Sequence, residues 1–129
     1  MNFPKELKYT KSHEWARREG NKITVGITDY AQKEISDVVF VELPKAGQAA
    51  IQAKPVAVVE SVKAAFDIYA PVSGKVTKVN SGLEMNPGRV NADCYGTGWF
   101  LEIEVSDAAQ WESLMSVEQY ENHLKQEAH

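Results

Sequence analysis

The clearest chemical potential in this chain lies in one lysine, Lys63. The stretch around it reads VAVVESVKAAFDIYAP. A β-branched run at 56–59 and an alternation of apolar and polar residues at 66–70 both favour strands over helices. Residues 61–64 between them predict a tight turn, so we expect a hairpin over about residues 56–70 with the lysine at its tip. An ε-amine held in water on a flexible stem is an accessible acylation target, although most exposed lysines only solvate a turn.

The other reactive side chains show no recognisable arrangement. His13, His123 and His129 lack metal-ligand spacing to one another and to the single cysteine, Cys94, so no metal site is predicted. There is no phosphate loop, nucleophile elbow or dinucleotide fingerprint. We expect Cys94 to be an inert thiol, His123 to lie on a helix surface and His129 in the chain tail. A thiol enzyme that pairs Cys94 with His13 is an alternative of a different class, and turnover by the purified protein without any partner would test it.

Composition and charge restrict the class of protein. The chain has 129 residues, of which 43% are hydrophobic and 25% charged, and a net charge of −4, which predicts one globular domain over residues 1–129. No basic patch suggests nucleic acid, and no apolar segment approaches the roughly 20 residues of a membrane span. One cysteine forms no intrachain disulfide, which suits a reducing compartment. Because residues 1–8 lack a signal core, we expect a protein of the bacterial cytoplasm, with a mature organellar protein as the alternative. We also expect a monomer.

Strand patterns dominate the rest of the chain, and helices are expected in two places. A capping box at residues 29–32 predicts a short helix that ends near Ile35. Helical periodicity returns over about residues 107–125, where Ser116 and Gln119 form a second capping box. Besides the hairpin, strands are expected at residues 9–17, 22–28, 38–43, 75–79 and 99–105.

These elements predict a mainly β protein, a flattened antiparallel β sandwich with a short internal helix and C-terminal helices. Since alternate residues of a strand face the same side, one apolar set should form the core. The expected core positions are Ile23, Val25, Ile27, Val39, Val41, Val58, Ile68, Val76, Val79, Phe100 and Ile103.

Five sequence blocks, in order along nearly the whole chain, resemble the glycine cleavage system H protein family. They are SHEW at 12–15, GITDYAQ at 26–32, VFVELP at 39–44, ESVKA at 60–64 and GW at 98–99. The resemblance implies a lipoyl/biotinyl-like barrel-sandwich hybrid. The tip sequence Val-Lys-Ala differs from the Met-Lys-Met of biotinyl domains and from the Asp-Lys-Ala usual in lipoyl domains of 2-oxo acid dehydrogenases.

The resemblance also implies a non-catalytic role. Lipoate would be amide-linked to Lys63, and a lipoate ligase or a lipoyl/octanoyl transferase would recognise Glu60. The carrier would take an aminomethyl group from a pyridoxal-phosphate glycine decarboxylase to a tetrahydrofolate-dependent aminomethyltransferase, and reducing equivalents to a dihydrolipoamide dehydrogenase. The loaded arm, which is the lipoyl group on Lys63 together with the aminomethyl group it carries, would rest in a cleft against Ser12, Glu14 and Asp67. A relay that donates lipoate to other acceptor domains, or serves another pathway, is a close alternative.

The sequence departs from the family pattern at three positions. Ser36 stands where glycine is usual, Cys94 where proline is common, and Phe66 where a small residue is usual. Because Phe66 lies close to Lys63, we expect its bulk to alter how the arm packs.

Overall fold

Short strands and short helices alternate through the chain. The computed structural model describes residues 1–127, so the expectation for His129 lies outside the described residues. The strands are Lys8–Tyr9 (β1), Glu14–Glu19 (β2), Lys22–Ile27 (β3), Val38–Glu42 (β4), Ala49–Ala50 (β5), Pro55–Ser61 (β6), Ala65–Tyr69 (β7), Gly74–Val79 (β8) and Leu101–Val105 (β9). The helices are Asp29–Ile35 (α1), Gly82–Met85 (α2), Arg89–Ala92 (α3), Ala108–Glu112 (α4) and Val117–Glu127 (α5).

The strands form two antiparallel sheets that share one core. The larger sheet has the order β1-β2-β3-β9-β8-β5, and the smaller has the order β4-β6-β7. Residues from both sheets, among them Ile23, Val41 and Ile103, belong to the same buried cluster. The mainly β, antiparallel fold class with short internal and C-terminal helices is therefore confirmed. None of the helices within residues 1–127 is long and apolar enough to cross a membrane.

Most of the expected core is buried, but the prediction for Val39 is wrong. Its side chain is 55% exposed and that of Phe40 is 48% exposed, so β4 is not the fully buried strand that its apolar run indicates. The pairing of β4 with β6 shifts register between Val38 and Phe40, and such a bulge disturbs the alternation of faces. Val58 and Val79 are only partly buried.

The single strand expected over residues 9–17 is also wrong. The chain turns at residues 10–13, between β1 and β2, where His13 N donates to Thr10 O at 3.1 Å. His13 has a φ of 75°, a left-handed conformation that is uncommon for residues other than glycine. The turn brings Ser12 and Glu14 beside the smaller sheet, which matters for the site below.

Helix α1 begins and ends differently from the sequence prediction. The N-cap is Thr28 rather than Asp29, because the Thr28 hydroxyl accepts from Ala31 N at 3.2 Å. Asp29 instead accepts from the Gln32 side chain at 2.8 Å. The C-cap, Ser36, has φ 65° and ψ −153°, a region occupied almost only by glycine, which gives a physical reason for the glycine usual at this position.

Two short helices lie between β8 and β9, where the sequence predicted none. They are α2 and α3. The second capping box is confirmed, since Ser116 N donates to Gln119 Oε1 at 2.9 Å and Gln119 N donates to Ser116 Oγ at 3.3 Å. It starts α5, the helix that packs against β1.

A second buried cluster joins α5 to the larger sheet. It contains Leu7, Tyr9, Trp15 and Tyr120, and the rings of Tyr9 and Tyr120 stack with centroids 4.7 Å apart. Trp15 lies opposite Gly26, where an added Cβ would lie 2.5 Å from the indole ring. Glycine is therefore needed at that position for the ring to lie flat on β3. The cluster fixes α5 close to the turn at residues 10–13.

Candidate functional site

The hairpin of β6 and β7 carries Lys63 in its connection at residues 61–64. The last pair of the strand ladder is Glu60 with Ala65. Ser61 organises the turn, because its backbone N donates to Ala64 O at 2.9 Å and its hydroxyl accepts from Lys63 N at 3.1 Å. The sequence analysis did not assign this role to Ser61, although serine commonly caps turns in this way.

The tip rests against the end of α1, and the lysine side chain remains accessible. Val62 N donates to Asp37 O at 3.0 Å, which ties the tip to the segment after α1. Lys63 is exposed, and its Nζ donates to the backbone carbonyl of Glu34 at 3.0 Å. No ion pair within residues 1–127 involves Lys63. Glu60 is exposed on the same hairpin, where another protein could contact it together with the lysine.

A cleft of about 290 Å³ opens within reach of the lysine. Glu34, whose carbonyl accepts from Lys63, also lines the cleft. The lining comes from α1, β7 and the turn at residues 10–13 and includes Ser12, Tyr30, Glu34, Phe66, Asp67 and Ile68. The walls are mostly apolar, with a few polar groups, as is typical of small-molecule sites. Phe66 is 36% exposed and forms part of the wall of the cleft.

The residues predicted to hold the loaded arm occupy two layers. Ser12 and Asp67 line the cleft, and Asp67 is exposed. Glu14 is 1% exposed and lies behind Ser12. Glu14 Oε1 accepts from Ser12 Oγ at 2.6 Å and from Thr10 Oγ1, and its Oε2 accepts from Tyr69 N at 3.1 Å. Glu14 therefore ties the turn to β7 and orients Ser12.

Burial also governs the ionisation of Glu14. It raises the pKa of the carboxyl above its ordinary value, and the hydrogen bonds from Ser12, Thr10 and the Tyr69 amide partly offset the rise. A buried acid whose oxygens already have three protein donors is less available to a ligand than an exposed one. Among the predicted arm-holding residues, Asp67 is the acid in direct contact with the cleft.

Cys94 has the environment of a structural thiol. It is 7% exposed, and burial raises the pKa of its thiol to about 12. A thiol with so high a pKa is a poor nucleophile because the thiolate is the reactive form. The ring of His13 hydrogen-bonds to Tyr120 and approaches Glu127, so it is engaged with groups other than the thiol. The geometry gives no support to a thiol enzyme.

Comparison with known proteins agrees with this architecture. A family model described as Glycine cleavage H-protein matches residues 7–127. The glycine cleavage system H protein of Myxococcus xanthus is 50% identical over 119 residues, covering 92% of each chain. That of Thermus thermophilus is 49% identical over 128 residues, covering 99% of this chain and 100% of its own. The crystal structure of a glycine cleavage system H protein from Mycobacterium marinum superposes with a TM-score of 0.82 at 29% identity, covering 98% of this chain and 100% of that one.

Proposed function

Because the chain belongs to the glycine cleavage H-protein family, we propose that it is a lipoylated carrier with lipoate in amide linkage to Lys63. The observation that carries the proposal is the placement of an exposed lysine on a fixed tip beside a cleft. The surroundings of Lys63 fit an amide-linked lipoyl group. Acylation leaves one hydrogen on Nζ, which the carbonyl of Glu34 can still accept. The exposed Glu60 would serve recognition by a lipoate ligase or a lipoyl/octanoyl transferase.

When bound, lipoate supplies a dithiolane whose sulfur takes up an aminomethyl group and whose dithiol form holds reducing equivalents. The chain contributes the tether, since a group fixed to one lysine reaches a docked partner at high effective concentration. Its partners would be a pyridoxal-phosphate glycine decarboxylase, a tetrahydrofolate-dependent aminomethyltransferase and a dihydrolipoamide dehydrogenase. We propose that the chain itself catalyses none of these reactions and acts as a monomer in the bacterial cytoplasm.

The cleft would hold the amine end of the loaded arm. Asp67 offers a carboxylate and Ser12 a hydroxyl oxygen from two walls of the same cleft. Charge-assisted hydrogen bonds of this kind contribute on the order of 1.5–3 kcal/mol. Glu14 would act through Ser12, whose hydroxyl it fixes from behind at 2.6 Å. The cleft is open to solvent, so the arm can leave it when a partner docks.

The carrier function is tested by reconstitution with a purified glycine decarboxylase. The chain is lipoylated by a lipoate ligase, and exchange of labelled bicarbonate into the glycine carboxyl is measured. We expect exchange with the lipoylated wild type and none with the unmodified chain or with Lys63→Arg treated in the same way. Failure of the lipoylated chain to support exchange, with the H protein of Thermus thermophilus active in the same assay, would contradict the proposal.

The holding role of the cleft is tested by the rate of ammonia release from isolated loaded protein. Asp67→Asn should release ammonia several-fold faster than wild type, because the cationic amine loses its charged acceptor. Glu104→Gln, which removes an exposed acid outside the cleft lining and away from the hairpin, is the matched control and should behave as wild type. Equal rates for wild type and Asp67→Asn would contradict the holding role while leaving the Lys63 assignment intact.

A further inference from the structure

Two histidines and a glutamate converge where the end of α5 meets the turn at residues 10–13. His13 Nε2 lies 3.1 Å from Glu127 Oε2, and His123 Nε2 lies 3.1 Å from Glu127 Oε1. The three potential ligand atoms all lie within 4.8 Å of one another. His13 and His123 come from distant parts of the chain, so only the fold brings them together. The sequence prediction that the histidines show no ligand spacing therefore missed this cluster.

The distances suit a small transition-metal ion. Tetrahedral zinc with bonds of about 2.0–2.1 Å places its ligand atoms roughly 3.3 Å apart. Each imidazole lies 3.1 Å from one oxygen of the Glu127 carboxylate, His13 from Oε2 and His123 from Oε1, so a modest rotation of the carboxylate would bring one oxygen towards both rings. His123 and Glu127 are separated by one helical turn and project from the same face of α5. Two imidazole nitrogens and one carboxylate oxygen form a donor set that zinc uses elsewhere, with a further position left for water.

The ring of His13 is held in the orientation that such a site requires. Its Nδ1 lies 2.8 Å from the hydroxyl of Tyr120, which in turn lies 2.7 Å from Thr28 Oγ1. Both Tyr120 and Thr28 are fully buried. With an ion bound, His13 would donate from Nδ1 to the Tyr120 oxygen, and the lone pair of Nε2, which faces Glu127, would be free for the metal. Partners of this kind, which fix the tautomer and the ring plane, are a regular feature of metal-binding histidines.

The other two ligands have room to adjust. The side chains of His123 and Glu127 are 20% and 36% exposed. His123 Nε2 also lies 3.2 Å from the carbonyl of Lys11, so the ring already faces the turn. A small rotation of these partly exposed side chains can shorten the longest separation in the cluster. The rigid ligand is thus on the turn, and the adaptable ligands are on the helix.

We propose that His13, His123 and Glu127 bind one divalent transition-metal ion of the zinc class. Nitrogen-rich donor sets favour such ions over magnesium and calcium. The ion would fasten α5 to the turn that carries Ser12 and Glu14, and His13 itself lines the cleft. An ion that binds only the folded chain stabilises it by an amount that rises with the logarithm of the ion concentration relative to Kd. The proposal concerns the unmodified chain and is independent of lipoylation.

The test measures Zn²⁺ binding by metal-free protein prepared without a histidine tag. Isothermal titration and native mass spectrometry should show one Zn²⁺ per wild-type chain. His123→Gln and Glu127→Gln should each weaken binding by about tenfold or more, since even loss of an outer-shell partner commonly costs that much. Glu118→Gln, an exposed acid in the first turn of α5, is the matched control for charge, and His129→Gln is the matched control for histidine.

A thermal scan separates metal binding from damage to the fold. Zn²⁺ should raise the Tm of the wild type and of both controls by more than it raises that of His123→Gln or Glu127→Gln, while all five metal-free proteins unfold cooperatively. Wild type that takes up no Zn²⁺ would overturn the proposal. So would unchanged affinity in His123→Gln, or a loss of binding confined to His129→Gln.

Discussion

The hairpin tip and the turn at residues 10–13 flank the same cleft, but they are built in opposite ways. At the tip, Lys63 is exposed and few side chains are buried around it. In the turn, Glu14 is 1% exposed and three donors converge on its carboxylate. A tip that buries little can be modified or substituted at small cost in stability, whereas the turn supports the cleft and the fold together. Substitutions at the tip should therefore change lipoylation with little effect on stability, whereas substitutions in the turn should change the stability of the fold.

The largest expected effect on stability comes from Glu14→Gln. The amide keeps one acceptor oxygen and replaces the other with an NH₂ group, which cannot accept the hydrogen bonds that Ser12 and Thr10, or Tyr69, donate in the wild type. We expect the free energy of unfolding to fall by about 2–3 kcal/mol, measured by urea titration. The exposed Glu60→Gln should stay within about 0.5 kcal/mol of wild type. Equal stability of Glu14→Gln and Glu60→Gln would contradict the expectation that the turn contributes more to stability than the hairpin tip.

The difference in stability between wild type and Glu14→Gln should also change with pH in a defined direction. The pKa of Glu14 is raised from its ordinary 4.5, so the folded state holds the proton more tightly than the unfolded chain does. The contribution of Glu14 to stability is then complete below pH 4.5 and decreases as the pH rises through the raised value. Because the side-chain amide introduced by Glu14→Gln does not titrate, the stability difference between wild type and this variant should narrow with rising pH. Urea titrations from below pH 4.5 to neutral pH measure it. A difference that widens would show that the three donors outweigh burial and hold the carboxylate ionised.

A substitution at Ser36, which lies between α1 and the segment that supports the tip, should increase stability, and the effect should be smaller than the loss expected for Glu14→Gln. Ser36→Gly should raise the free energy of unfolding by about 1 kcal/mol, because glycine adopts φ 65° and ψ −153° without steric strain. The matched control is Ser81→Gly, at an exposed position with φ −60° and no side-chain capping bond, where no gain is expected. Thermal unfolding of both variants measures the difference. A loss of stability in Ser36→Gly as large as in Ser81→Gly would contradict the strain argument.

The two regions also differ in how far the sequence predicts them. The hairpin and its exposed lysine follow from local patterns, the apolar run, the alternation and the turn between them. The turn at residues 10–13 does not, because nothing local predicts a left-handed His13 within a strand-like run. The hydrogen bonding of Glu14 depends on Tyr69, and the cluster at His13 depends on α5, both of which are distant in sequence.

Local patterns also fail where pairing overrides them. The apolar run of β4 predicts a buried strand, but a register shift against β6 exposes Val39 and Phe40. Thr28 replaces Asp29 as the N-cap of α1 because its hydroxyl, one residue earlier, meets Ala31 N. The failure at β4 is decided by pairing between distant segments, whereas the position of the N-cap is decided by a local contact within residues 28–31.

The smallest effect on stability is expected at Lys63, although substitution there should abolish lipoylation. Lys63→Arg keeps the charge at an exposed position, so the free energy of unfolding should stay within about 0.5 kcal/mol of wild type. Lys54→Arg and Lys75→Arg, at two other exposed lysines, are the matched controls.

The most direct measurement is peptide mapping of the lipoyl adduct after treatment of all four proteins with lipoate and a lipoate ligase. The wild type and both controls should carry one adduct, on Lys63, and Lys63→Arg should carry none while remaining folded. An adduct on Lys54 or Lys75 that persists in Lys63→Arg would contradict the assignment of Lys63 as the attachment site.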